Sequence, residues 1–235
     1  MAIHFPAITA KLTRTGAPVA YLAPGSGSIG FSYWLRLRSA YTAARQYSAV
    51  QVAGAFATLR AVSATNDLAL YVDGATTADT SATSVVLATN VWTHIAVLYQ
   101  KSTTTWTLYA NAVSQATCVV DMAGITFTAE TLGGDSLTGT TSDFDIAYYR
   151  AWSTTGTGAI MTAARLSEER ASPQAVHLTS LFADTPLDST TVLLDSSSNG
   201  RFWTATGAVA TATSPQLDPW KLHRLDLRPR VEEHA

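Results

Sequence analysis

The feature that most constrains this chain is one alternation, Gly30-Phe31-Ser32-Tyr33-Trp34-Leu35-Arg36-Leu37-Arg38. In an extended strand, successive side chains point to opposite faces. Phe31, Tyr33, Leu35 and Leu37 therefore face a core, and Ser32, Trp34, Arg36 and Arg38 face the other way. Further short runs follow at residues 47–52, 55–62, 67–72, 92–99, 105–110, 113–120 and 143–152. Gly, Ser, Pro, Asn and Asp separate them. This spacing favours a sandwich or barrel over an α/β fold. Residues 3–14 alternate more loosely, through Ile8, Ala10 and Leu12. Pro24-Gly25-Ser26-Gly27-Ser28 reads as a loop, and Asp73-Gly74 and Leu132-Gly133-Gly134-Asp135 as turns. Leu193 to Trp203 is turn-rich and contains Asn199-Gly200, a strong hairpin signal. One helix is expected over residues 160–170, stopped by Pro173. We find no fixed-period repeat and no linker that divides the chain.

Charge and hydropathy each argue against one class of partner. The chain has 15 Lys and Arg against 17 Asp and Glu, a net charge of −2. A nucleic-acid binder needs a basic face to neutralise phosphates, so no nucleic-acid partner is expected. No apolar run approaches the ~20 residues that span a bilayer, so no membrane partner is expected either. Charged residues make up only 14% of the chain, against roughly 25% in an ordinary soluble domain. Thr, Ala and Ser take their place, and the Thr hydroxyl keeps an exposed strand face wet without charge. A free monomer this poor in charge is prone to self-association. Burial against other protein subunits, or further copies of the chain, resolves that tension.

The opening residues, MAIHFPAITAKLTRTG, lack a basic region followed by an apolar block and a cleavage site. No secretory signal is expected. The single cysteine, Cys118, provides neither a disulfide nor a thiolate metal cluster. Between Thr117 and Val119 it reads as a small buried strand residue. His4, His94, His177, His223 and His234 show no metal-site spacing.

Several segments, in order, resemble the concanavalin A-like lectin/glucanase superfamily, in its laminin G-like and pentraxin-like branch. They are the strand Gly30 to Leu37, then Trp92-Thr93-His94-Ile95-Ala96, which looks like W-x-H-[VI]-A. Leu108-Tyr109-Ala110-Asn111-Ala112 resembles a strand and turn that ends in Asn-Gly, with Ala112 in place of the glycine. Leu132-Gly133-Gly134 and then Asp145 to Trp152 resemble a later pair of segments followed by a short helix. Asp195 to Arg201 resembles a turn segment, with Ser198 replacing a glycine. The resemblance covers residues 5–215 and implies an all-β, antiparallel jelly-roll β-sandwich. Its members include lectins, adhesion modules, glycosidases and parts of viral particles, so function must be argued from the site.

A glycosidase on this fold needs two carboxylates across one sugar bond. The glucanase branch places them on one strand as E-x-D-x-x-E, and this chain has no such string. Its glutamates are Glu130, Glu168, Glu169, Glu232 and Glu233. The nearest pair, Asp143-x-Asp145, reads as a solvated lead-in to a strand. A G-x-S-x-G elbow and a phosphate-binding glycine loop are both missing. No catalytic residue and no enzyme activity are therefore expected.

Sugar recognition needs an aromatic platform and planar polar groups. Trp34, Arg36 and Arg38 lie on the face opposite the core, and His94 lies on the corresponding face of another strand. If the two strands are neighbours, these four form a ligand-sized patch. The competing reading packs Trp34 under a loop or a partner and gives His94 a half-buried structural place. Trp92, Trp106, Trp152 and Trp203 are assigned to the core. No cofactor is expected. Asp67, Asp135 and Asp143 are weak Ca²⁺ candidates, because the ion needs six to eight oxygens.

From Pro215 the composition shifts. Residues 215–235 read as an extended C-terminal arm after a domain of residues 1–214, since Pro219 and Pro229 oppose a long helix. Trp220, Leu222, Leu225 and Leu227 are too apolar for a solvated tail, and either fold back on the domain or dock on a partner. The residues are read as a non-enzymatic, lectin-like surface module of a larger assembly. The expected setting is the surface of a bacteriophage virion, as a capsid decoration or tail component, and otherwise the cytoplasm. The alternatives are a free glycan-binding lectin or adhesin and, less favoured, a glycoside hydrolase.

Overall fold

Two antiparallel sheets face each other, and the chain crosses between them repeatedly. The computed structural model describes residues 1–7, 9–15, 22–40, 45–52, 55–61, 67–74, 80–81, 85–134, 143–158, 160–188, 197 and 203–217. The strands run as β1 (Ala2–Phe5), β2 (Lys11–Thr15), β3 (Ile29–Leu37), β4 (Arg45–Val52), β5 (Ala55–Ala61) and β6 (Asp67–Asp73). Next come β7 (Thr80–Ser81), β8 (Val85–Val86), β9 (Trp92–Gln100), β10 (Thr105–Ala110), β11 (Val113–Val119), β12 (Ala129–Gly133) and β13 (Phe144–Ser153). The helix α1 (Ala163–Ala171) precedes β14 (Leu181–Thr185), β15 (Thr204–Thr206) and β16 (Ala210–Ala212).

The first sheet has the order β11-β10-β9-β3-β13-β1-β16, with β14 also paired to β13. The second has the order β15-β2-β12-β4-β5-β6-β7, with β8 also paired to β6. Strands β1, β2, β3 and β4 alternate between the sheets, as a jelly-roll sandwich requires. The core lies between them. Phe31, Tyr33, Leu35 and Leu37 all point into it, with Leu59, Leu70, Val97, Trp106, Ile146 and Trp203. Each large side chain buried this way contributes about 1.5–3 kcal/mol relative to an exposed one.

The core also holds charge. Arg14 and Glu130 stand directly opposite each other on β2 and β12. Both are buried. The Arg14 Nε donates to Glu130 at 2.5 Å, and the Tyr149 hydroxyl donates to the other carboxylate oxygen. Burial, followed by the Glu130 charge, raises the Tyr149 pKa well above its usual range. The Arg14 guanidinium carbon sits 4.6 Å from the Trp203 ring centre. Glu130 is thus an internal counter-ion.

A second, smaller cluster forms on the outer face of the first sheet. Trp152, Ala96 and Leu98 pack there against Ile160, Met161 and Leu166. The Thr162 side chain caps α1 by accepting from the Arg165 N–H at 3.3 Å. Helix formation therefore begins at Ala163, after Ile160 and Met161 have packed, and not at residue 160. Arg150 of β13 fastens the helix. It donates to the Glu169 carboxylate and to the Glu169 backbone carbonyl, both at 2.8 Å, and to the Ser172 carbonyl at 2.9 Å. Its Nε faces Asp184 of β14 at 3.3 Å.

A bulge sets up this arrangement. The β13–β3 register shifts between Ala147 and Arg150, and Tyr148 has φ 52°. One extra residue changes the facing of everything after it. Ile146 and Tyr149 both enter the core, while Arg150 and Trp152 turn out towards α1.

Several expectations are corrected here. The loose alternation over residues 3–14 is two strands, β1 and β2, in different sheets. Leu132-Gly133 ends a strand, β12, before the chain turns. Gly133 has φ 68°, and a Cβ there would lie 2.4 Å from Phe5, so glycine is required. Trp152 belongs to the outer cluster and not to the main core. Asp145 is fully buried and not a solvated lead-in. Cys118 is a buried strand residue whose thiol burial pushes up to about 11. Asp195, Ser198, Asn199 and Gly200 lie outside the described residues, as do Asp135 and the arm residues Trp220, Leu222, Leu225 and Leu227.

Candidate functional site

Register places the candidate residues. On the first sheet, β3 lies between β9 and β13. It pairs Trp34 with His94 and Arg36 with Trp92 on one side, and Trp34 with Ala147 and Arg36 with Asp145 on the other. β1 adds His4 opposite Asp145. Two transverse rows result on the outer face. One reads His4, Asp145, Arg36, Trp92, and its neighbour reads Ala147, Trp34, His94. The next rows, with Ser32, Ala96, Arg150 and then Leu98, Trp152, are those that α1 covers. Among the described residues, the helix therefore covers one half of the face and leaves the other half open.

Asp145 organises the open half. Its Oδ2 accepts from Arg36 Nε at 2.8 Å and Nη2 at 2.6 Å. Arg38 Nε reaches Oδ1 at 2.9 Å and Oδ2 at 3.1 Å. His4 Nδ1 lies 3.0 Å from Oδ1, and its Nε2 lies 3.9 Å from Asp143. A carboxylate with no solvent exposure is stable here because cations surround it. Arg36 also lays its guanidinium over the Trp92 ring, 4.7 Å from the centre. Trp34 meets His94 edge-on, with ring centres 5.5 Å apart.

The structure brings Trp34, Arg36 and His94 together and places Arg38 at the outer end of the same strand. It does not make all four accessible. His94 is only 2% exposed, so it supports the patch and is not a contact residue. Burial first, then the Arg150 and Arg170 charges, push its imidazole pKa down to about 3. It is neutral at pH 7, and its Nδ1 makes no hydrogen bond. Trp92 is the reverse case. Expected in the core, it is half-buried on the open face, because Trp92 has the same parity on β9 as His94. Sequence reading missed Trp92, Asp145 and His4 as members of the patch. The parity of β9 was the available signal for Trp92; for Asp145 and His4 there was none without the strand order.

Of the Ca²⁺ candidates, Asp135 lies outside the described residues. Asp67 begins β6 in the second sheet, whereas Asp143 leads into β13 in the first. Among the described residues no three His, Cys, Asp or Glu side chains converge to hold a metal.

Two antiparallel sheets packed as a jelly-roll sandwich define the concanavalin A-like lectin fold class. The chain belongs to the concanavalin A-like lectin/glucanases superfamily, whose laminin G-type model matches residues 14–159. A carbohydrate-binding protein assignment is carried, as putative, by one similar solved structure, from Bacteroides ovatus. It has a TM-score of 0.62 and 16% identity, and the match covers 93% of this chain and 62% of that one. This chain thus spans under two thirds of that protein's length. A heptameric SAP-like pentraxin from Limulus polyphemus is similar at TM-score 0.59 and 11% identity, over 91% of this chain and 94% of that one. At these identities the likeness is one of fold. No curated protein sequence matches the chain.

Proposed function

We propose that this protein is a non-enzymatic, lectin-like module that binds carbohydrate on the open half of its first sheet. The observation that carries this reading is the placement of Trp34 and Trp92 beside Arg36 and Arg38 on one outward face. Indole surfaces stack on the C–H faces of sugar rings, and guanidinium N–H groups donate to sugar oxygens. The state of the acids supports a binding role over a hydrolytic one. Asp145, Glu130 and Glu169 are each buried in ion pairs, so they do not form the open acid and nucleophile pair that glycoside hydrolysis uses.

The test is a glycan array, followed by titration of any hit against wild type and Trp34→Ala. The substitution should cost on the order of 1–3 kcal/mol of affinity with the thermal midpoint little changed. An unchanged affinity removes Trp34 from the site. Loss of folding shows that it is structural, and an array without signal favours a protein partner on this face.

We further propose that the module sits on the surface of a larger assembly, as a capsid decoration or tail component of a bacteriophage virion. Support comes from the low charge content of the chain and from the apolar residues Trp220, Leu222, Leu225 and Leu227 among charges near its end.

A further inference from the structure

We infer that the sugar taken by this face carries a carboxylate, received by Arg38; the inference rests on the carbohydrate-binding reading above. Its basis is how the donors around Asp145 are used. The two Asp145 oxygens together accept from Arg36 twice, from Arg38 Nε and from the His4 ring. A carboxylate offers about four lone-pair positions, so Asp145 has no acceptor capacity left for a sugar hydroxyl. What the cluster presents outward is donors.

Arg38 is the outermost of them. Its side chain is 37% exposed, whereas that of Arg36 is 20% exposed and lies over Trp92. Only the Nε of Arg38 is engaged by Asp145. Its Nη1 and Nη2 make no hydrogen bond among the described residues. An arginine held through Nε offers its two terminal nitrogens as a planar fork. That fork matches the two oxygens of a carboxylate better than it matches single hydroxyls. Its backbone is fixed as well, since the Arg38 N–H donates to the Asp143 carbonyl at 2.9 Å. Holding the side chain before the ligand arrives lowers the ordering cost of binding.

Two guanidiniums face the buried Asp145 carboxylate, which offsets one of them. The other acid nearby, Asp143, stands across from Arg38 just before β13 and 3.9 Å from His4 Nε2. Trp34 and Trp92 flank Arg36 on the same face. A ring stacked on indole with its carboxylate towards Arg38 therefore uses every outward group of the patch.

The experiment titrates the full chain with tetragalacturonate and its carboxyl-reduced form, and with sialyllactose and lactose. The array above tests the parent reading separately. We expect one carboxylated sugar to bind about tenfold or more tighter than its neutral partner, the scale of a charge-assisted fork. Arg38→Gln should erase that difference, weakening the acidic sugar far more than its neutral partner, in protein whose circular dichroism shows it folded. Arg38→Lys should restore only part of it, because an ammonium is not a fork. Equal affinity for acidic and neutral sugars overturns the inference, and so does a preference that survives Arg38→Gln. If neutral sugars bind as tightly as their acidic partners and Trp34→Ala weakens both, the carbohydrate reading stands while the carboxylate inference falls. If none of the four sugars binds, the inference falls, and the array alone decides the parent reading.

Discussion

At the scale of single residues, burial converts ordinary side chains into supports for the patch. His94 is the clearest case. Its imidazole titrates near 6.5 when unfolded and near 3 when folded, pushed down first by burial and then by Arg150 and Arg170. Between those values the unfolded chain holds the extra proton, so stability rises with pH across the window. It is lost as pH falls from about 6.5 towards 3. The slope from one such group is at most about 1.4 kcal/mol per pH unit. His94→Gln should therefore flatten the acid limb of stability by roughly 1–2 kcal/mol between about pH 7 and pH 5. Urea unfolding at both pH values measures it, and an acid limb identical to that of wild type assigns the loss to other groups. Ala112 makes a different point. Asn111 and Ala112 have φ 51° and 65°, a left-handed pair closing the β10–β11 hairpin. Glycine suits the second position, as the family resemblance indicated, and alanine there costs roughly 1–2 kcal/mol.

At the scale of elements, one arginine decides whether the outer face is half closed. Arg150 joins β13 to α1 and β14 through Glu169, Ser172 and Asp184. Removing it leaves two acids without that partner in a buried setting. Arg150→Met should cost about 3–5 kcal/mol, the usual effect of breaking a buried ion pair from one side. Loosening of α1 should also raise the accessibility of Trp152, read by fluorescence quenching. A cost under about 1 kcal/mol would show that the Leu166 cluster holds the helix by itself. The helix was legible in the sequence from its residue types and Pro173. Its role was not, because Glu169 reads as an exposed helical residue until β13 is placed beneath it. Strand β12 was missed because Ala129-Glu130-Thr131-Leu132-Gly133 carries a charge where a core residue is expected. That charge is buried against Arg14.

At the scale of the molecule, the low charge content predicts association. Deleting residues 217–235 should abolish self-association or docking onto a particle scaffold, while the β-rich circular dichroism spectrum stays intact. Sedimentation of the full and shortened chains measures the first part. Copy number in a purified native particle measures the second. Normal docking by the shortened chain removes the arm from assembly, and unfolding places the arm in the domain core.

The alternation in β3, the recurrence of short runs and the turn residues by themselves determined an all-β sandwich or barrel and the outward side of Trp34, Arg36 and Arg38. These are local consequences of a period of two, which a strand carries in its own residues. The strand order is not local. Only the tertiary structure placed β9 and β13 on either side of β3, and with that order came Trp92 and Asp145. The bulge at Tyr148, the burial of His94 and the counter-ion roles of Glu130 and Glu169 belong to the same level. Each depends on which residue stands opposite, and a single chain read in one dimension does not contain that information.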